Sequence, residues 1–316
     1  EVTSSEADRL SAFGDMFNAA SEKVIAHDIS FLFVNNSNSS TSMNGDILAR
    51  IMAGDVKDWS EVTPKENGDV HIYYENLGGD NGFSPLDRIL GERELIDTAK
   101  SYDTPNDVIN AVARDGKGIG FAHRDGNVGL VKSVAFQERN ARSFSANDFD
   151  IATEAYPFTE RVYLYVPSVN GNADLRSFAD FTQTQAAQEV VKTAGFWPQI
   201  LQNYAVAAPQ DAPVEYKTFS QSSRRMNFDF RFQQGANSLD TKAVSDITRF
   251  VQFLQSNNIS GNRVALFGFA DNVGARPTNI GLGQARAEAV LNKLSQMGVQ
   301  AGLVRSFGDV MPVGAN

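Results

Sequence analysis

Cysteine is absent from this 316-residue chain, which excludes disulfides, thiolate catalysis and cysteine-ligated metal. Histidine is scarce: His27, His71 and His123 lie far apart without ligand spacing, so each reads as structural or surface rather than as a metal ligand or base. No run of about 18 apolar residues occurs, so nothing is expected to span a bilayer. The opening EVTSSEADRL has neither a basic start nor an apolar core, and no signal peptide is legible in it. Nucleophile-elbow, P-loop and zincin motifs are missing too. The expectation is therefore a non-enzyme with no catalytic residue, no cofactor and no metal.

What is present is an ordinary globular composition, 42% hydrophobic and 21% charged, in a length that allows two or three domains. Charge divides the chain. From residue 219 onward ten Lys/Arg face six Asp/Glu, a net of +4, whereas the part before it stands at −14. So acidic an N-terminal part argues against nucleic acid, and a mildly basic C-terminal part suits a carboxylate-bearing polymer. Between them, Asn203–Lys217 (NYAVAAPQDAPVEYK) replaces periodic pattern with small residues and prolines and reads as a linker.

Near the C-terminus, GFADNVGARPTNIGLGQARAEAVLNKL places Asp271 just after a short apolar strand, Val264–Phe269, and Arg286 on the helix that follows. Leu282, Val290, Leu291, Leu294 and Met297 repeat at near-helical spacing, and Asn272, Gly274 and Pro277 break the pattern before them. Taken alone, such an acid–arginine pair is most often an intradomain salt bridge. It can also grip a zwitterion, the carboxylate taking an ammonium and the guanidinium forking onto a carboxylate. The Gly-x-x-Asp-Asn pattern ending at Asn272, with Asn279, Leu282, Arg286-Ala287, Val290 and Leu294, resembles the OmpA-like peptidoglycan-binding domain. So do the upstream Phe228-Asp229-Phe230, Phe232 and Leu239-Asp240, a helix with Val244, Ile247, Phe250, Val251 and Leu254 inward, and the closing SFGDVMPVGAN. The resemblance implies an α+β sandwich in which Asp271 and Arg286, with Asn279 as a second polar contact, hold the diaminopimelate of the peptidoglycan stem. Ala270 stands where that family has threonine, and Gly283 where it has a serine expected to cap a helix. The family continues past the position of Asn316, so this domain reads as C-terminally truncated.

The first two hundred residues alternate strands and helices, an α/β pattern. Strands are predicted at Ile29–Val34, Val70–Tyr74, Gly118–Ala122 and Val162–Val166. Helices are predicted at Asn44–Ala53, Pro85–Ala99, Pro105–Arg114 and Leu175–Ala194, the last with Phe178, Phe181, Val190 and Val191 on its apolar side. The phrases VIAHDISFLFVNNSNS, ILARIMAGDVKDWSEV, TEAYPFTERVYLYVP and AAQEVVKTAGFWP resemble the periplasmic solute-binding proteins of the phosphate-transport (PstS-like) group. The resemblance implies a two-lobed fold in which Ile29–Val34 and Val162–Val166 cross between lobes, and whose first strand–helix–strand unit would lie before Glu1. Where that family places an arginine and then Ser-Gly-Thr to cradle an anion, this chain has Glu75, Gly79, Asp80 and Asn81. Carboxylates facing an oxyanion repel it, so the loop is a poor phosphate site and reads as an ordinary solvated loop or, alternatively, as a site for a cation or amine.

The sequence thus predicts a two-lobed, periplasmic-binding-protein-like α/β domain (residues 1–203, N-terminally truncated), a linker (204–218) and an α+β OmpA-like sandwich (219–316). The expected function is non-covalent binding of peptidoglycan that tethers the first domain to the wall of a Gram-negative periplasm. The alternatives are a ligand sensor or transport receptor for phosphate or another small solute, and a structural envelope linker that binds protein partners.

Overall fold

The computed structural model describes residues 2–76, 85–124, 128–138, 142–169, 172–232, 238–270 and 275–310. Its N-terminal domain is built around one long strand, β1 (Glu22–Asn35), with β2 (His71–Glu75), β3 (Lys100–Tyr102), β4 (Gly118–His123), β5 (Val131–Ser133) and β6 (Thr159–Tyr165). The upper half of β1 pairs antiparallel with β4 (Ser30 opposite His123 through Val34 opposite Ile119) and with β5, giving the order β3-β2-β4-β1-β5. Its lower half pairs with β6, from Glu22 opposite Tyr165 to Ile29 opposite Thr159. β1 therefore crosses from one half of the domain to the other. Phe31, Leu32, Phe33 and Val34 are at most 1% exposed, as a continuous apolar run requires when both faces are covered. Helices α1 (Gly45–Met52) and α2 (Pro105–Arg114) cover it with Leu48, Ile51, Val108 and Ile109, and are started by the side chains of Asn44 and Thr104.

Two predicted helices differ. The one expected over Pro85–Ala99 ends at Leu90, because Gly91 takes a left-handed φ of +61° and the chain runs on to the edge strand β3. The one expected over Leu175–Ala194 is two helices, α3 (Ala173–Thr182) and α4 (Gln185–Thr193), because the Thr184 hydroxyl accepts from Ala187 N–H and starts a new helix. Phe178, Phe181 and Val190, expected inward, are 56%, 48% and 66% exposed. The inner side carries amides instead: Gln183 and Gln199 donate to the Val24 carbonyl, and Gln188 to that of Ile25. These side chains satisfy backbone acceptors of β1, and bulky apolar groups could not.

The segment expected as a linker is partly structured. Asn203–Tyr204 pair with Arg225–Met226, and helix α5 runs from Val214 to Ser222. Next come α6 (Thr241–Ser256), β7 (Ala265–Phe269), α7 (Arg276–Gln296) and β8 (Leu303–Gly308), with β7 and β8 parallel and joined by α7. Alternation sorts β7. Phe267 and Phe269 meet the Tyr216 ring of α5 and the Phe307 ring, at 5.6–6.0 Å from Tyr216. Leu266 and Gly268 face α7 and its Val290 and Leu294. On α6, Ile247, Phe250, Val251 and Leu254 are buried as predicted and Val244 only half so. Gly283 caps nothing; it lies inside α7 where helix and strand touch backbone to backbone.

That contact yields a prediction. A Cβ at Gly268 would sit 1.8 Å from the Gly283 carbonyl oxygen, so Gly268→Ala should cost about 1–3 kcal/mol through forced backbone separation. Gly281, also within α7, has nothing within 4 Å of its Cβ position, and Gly281→Ala should gain about 0.5–1 kcal/mol. Urea titration of the two variants against wild type measures both.

Candidate functional site

The end of β7, the start of α7 and the turn after β8 converge on one surface. Ala270 N–H donates to the Gly308 carbonyl (2.9 Å), and the Ser306 hydroxyl donates to the Ile280 carbonyl (2.7 Å). Gly308 has φ +59° and lies against Ile280, so a side chain there would be both strained and crowded. Arg286 projects from the third turn of α7. Its Nη1 donates to the Phe269 carbonyl (3.3 Å), and its guanidinium lies over the Phe232 ring, 5.3 Å from the centroid. Its Nε is buried with no hydrogen-bond partner among the described residues. Asn279, two turns earlier on the same helix, is 2% exposed and donates to the Asp309 carboxylate (3.2 Å). Asp271 lies outside the described residues. The sequence reading missed Phe232 as the floor under Arg286, and Asp309 as the partner of Asn279; both stood inside quoted family phrases, which was the available signal.

Between the domains lies a buried ionic junction. Glu154 accepts from Arg161 Nε (2.9 Å) and Nη2 (2.8 Å) and bonds His27 Nε2 (2.9 Å), all in its own domain. Across the boundary it meets Arg231 Nε at 3.0 Å and Lys242 Nζ at 3.6 Å. Arg161 also donates to Asp240 (2.9 Å). Lys242 donates to the fully buried Asp246 (2.8 Å), and Arg249 bonds both Asp246 and the Gln199 carbonyl. Burial alone would raise the Glu154 pKa, but the Lys242 charge and the His27 and Arg161 hydrogen bonds hold it well below the usual carboxylate range. Burial pushes His27 down, so it stays neutral and donates through Nε2.

On the N-terminal domain, Glu75 does not stand free. It is 9% exposed, and it accepts from the His123 backbone N–H (2.8 Å) and bonds His123 Nδ1 (3.0 Å). His123 Nε2 reaches Asp28 (3.2 Å). Hydrogen bonds to Asp28 and Glu75 outweigh burial and raise the imidazole to about 10, so it is charged at neutral pH. Asp28 faces Glu160 across β1 and β6, and burial followed by the Asp28 charge raises the Glu160 pKa. A cleft of about 700 Å³ opens beside them, lined by Glu6, Arg9, Asp28, Glu160, Tyr163 and Tyr165. Gly79, Asp80 and Asn81, expected to belong to a ligand loop, lie outside the described residues. Among the described residues no group of three or more His, Asp or Glu side chains is arranged to hold a metal, and no helix is long and apolar enough to cross a membrane.

Residues 231–316 match the OmpA family. No protein of curated function matches the chain. Among solved structures, the chain is similar to an ABC-type phosphate transport receptor from Vibrio cholerae, with 18% identity over 62% of this chain and 76% of the other, TM-score 0.47. It is also similar to a possible phosphate binding protein from Planctomyces limnophilus (16% identity, 63% of this chain and 72% of the other, TM-score 0.49). A peptidoglycan-associated lipoprotein from Burkholderia pseudomallei shares 28% identity over 28% of this chain and 74% of its own length, TM-score 0.25.

The His123 clamp makes a pH prediction. Its folded pKa lies above the ordinary 6.5, so the stability it contributes is complete below pH 6.5 and is lost as pH rises from there to about 10. Wild type should therefore lose urea stability across that window relative to His123→Gln, which keeps polarity and cannot titrate. Parallel pH profiles of the two proteins would show the clamp to be absent.

Proposed function

We propose that this chain is a cell-envelope binding protein, not an enzyme, and that its C-terminal domain docks non-covalently on diaminopimelate-containing peptidoglycan. Asp271 takes the stem ammonium and Arg286 forks onto the adjacent carboxylate, while Asn279 holds Asp309 at the rim. The observation that carries the reading is the state of Arg286. Within the segment matching the OmpA family, it stacks on Phe232 and keeps a buried Nε without a partner among the described residues. Such a guanidinium is poised to gain most from an incoming carboxylate. Each charge-assisted bond is worth roughly 1.5–3 kcal/mol, so a single site is weak and the repetitive wall supplies retention by avidity. The setting this implies is the periplasm of a Gram-negative bacterium.

For the N-terminal domain, Phe178, Phe181 and Val190 on the outer side of α3 and α4 favour an envelope linker that meets a protein partner. The solute-sensor reading rests on the cleft beside β6 instead. Native mass spectrometry of the purified chain separates them: a co-purified small molecule supports the sensor.

Arg286→Ala should abolish co-sedimentation of the full chain with diaminopimelate-type sacculi while the circular-dichroism spectrum stays unchanged. A wall with lysine at the stem position should retain the wild type much less well, because lysine lacks the second carboxylate and leaves the guanidinium unpaired. Equal retention by the variant, or on both walls, contradicts the assignment.

Inorganic phosphate should not bind the N-terminal domain at micromolar concentration. Glu6, Asp28 and Glu160 line its cleft; of the cations there, Arg161 is held by Glu154 and Asp240, the nearby imidazolium by Asp28 and Glu75, and Arg9 faces three carboxylates. A silent isothermal titration at low ionic strength is the expected result; a saturable heat with a micromolar midpoint contradicts it.

A further inference from the structure

Two adjacent residues join the interdomain junction to the arginine of the wall site. Arg231 reaches into the N-terminal domain, where its Nη2 donates to the carbonyls of Thr153 (3.1 Å) and Glu154 (2.7 Å) and its Nε lies 3.0 Å from the Glu154 carboxylate. The next residue, Phe232, carries the ring beneath the Arg286 guanidinium. The backbone between them is held on both sides. Asp240 N–H donates to the Arg231 carbonyl (3.0 Å), and Phe232 bridges Leu239. Asp240 in turn is tied by its carboxylate to Arg161 of the N-terminal domain, and caps α6 by accepting from Ala243 N–H. Successive side chains of an extended segment point to opposite sides, so one dipeptide serves both neighbours.

The contact suits a binding arginine. A ring under the guanidinium face fixes its plane while leaving the in-plane N–H donors free, whereas a protein carboxylate would occupy the fork that the ligand needs. We propose that the N-terminal domain sets the position of Arg286 through Arg231 and Phe232, so that wall affinity depends on the docking of the two domains. Phe232 is the positioning residue, and Glu154 acts on the site through Arg231. The consequence for affinity rests on the wall-binding role of Arg286 given above; the mechanical link does not.

The test uses the full chain with arginine labelled by nitrogen-15. The Arg286 Nε–Hε resonance, assigned by its loss in Arg286→Lys, feels the ring current of Phe232. Phe232→Leu should move it, and Arg231→Met, which leaves the ring in place, should move it in the same direction. Both variants should bind diaminopimelate-type sacculi about two- to fivefold more weakly, the range of a partly exposed cation–π contact. Phe232→Tyr should restore both readouts. Arg305→Met, at an exposed ion pair with Glu215 on the far side of β8, should change neither. Arg231 is 39% exposed, so its variant is chosen over Glu154→Gln, which disturbs a buried charge and risks unfolding. An Arg286 signal that moves in Phe232→Leu but not in Arg231→Met overturns the proposal, as does a moved signal with unchanged retention. Wild type that fails to bind sacculi overturns the wall reading, and the resonance then still decides whether the link exists.

Discussion

A carboxylate buried between two domains must be answered by charge on every side, and Glu154 is answered from both. Arg161 and His27 meet it from β6 and β1, and Arg231 and Lys242 from the C-terminal domain. Around it, Glu22, Glu154, Asp240 and Asp246 balance Arg161, Arg231, Lys242 and Arg249, so a further proton on His27 would add an unmatched charge. Its Nδ1 has no partner among the described residues to receive one. Replacing such a network by apolar side chains is often neutral, but removing one member leaves its partners charged and dry, typically about 3–5 kcal/mol worse. The junction therefore specifies how the domains meet more than it adds to their stability.

Its location matters as much as its strength. His27 and Arg161 sit on the paired strands that run through the lower half of the N-terminal domain, and the Thr241 hydroxyl of α6 bonds Glu22 on the same stretch of β1. In a fold where β1 crosses between halves, these are the strands that would bend if the halves moved relative to one another. Fastening α6 to them ties the domain with the OmpA match to the crossing itself.

The legible parts of the sequence were those in which one physical signal dominates. Ile29–Val34 read as a strand because only Ser30 interrupts its apolar run, and α1 read as a helix because Ile47, Leu48, Ile51 and Met52 recur at helical spacing. The helix α6 shows where such reading stops. Lys242, Asp246 and Arg249, spaced as one face, look like a solvated stripe, yet all three are buried against the other domain. Periodicity marks a polar face without saying whether water or a second polar face will cover it. The same limit applies to α3 and α4, where the amides of Gln183 and Gln188 turn inward and the aromatics outward. At the candidate site, Arg286 and Asn279 were visible as motif letters. The roles of Phe232 and Glu154 depend on contacts between distant segments, which no local pattern encodes.

The division of charge bears on how such a protein would sit against a wall. Ten basic against six acidic residues from 219 onward and a net of −14 before it make the molecule an electrostatic dipole. An anionic, carboxylate-bearing polymer attracts one end and repels the other, and at physiological salt this acts within about 8 Å of the surface. That range is too short to recruit the protein from afar and long enough to turn it once it arrives. With the domains fastened at Glu154, turning one end would turn the other. If the C-terminal domain docks on the wall as proposed, the junction would convert a difference in composition into a preferred orientation, which a flexible linker would average out.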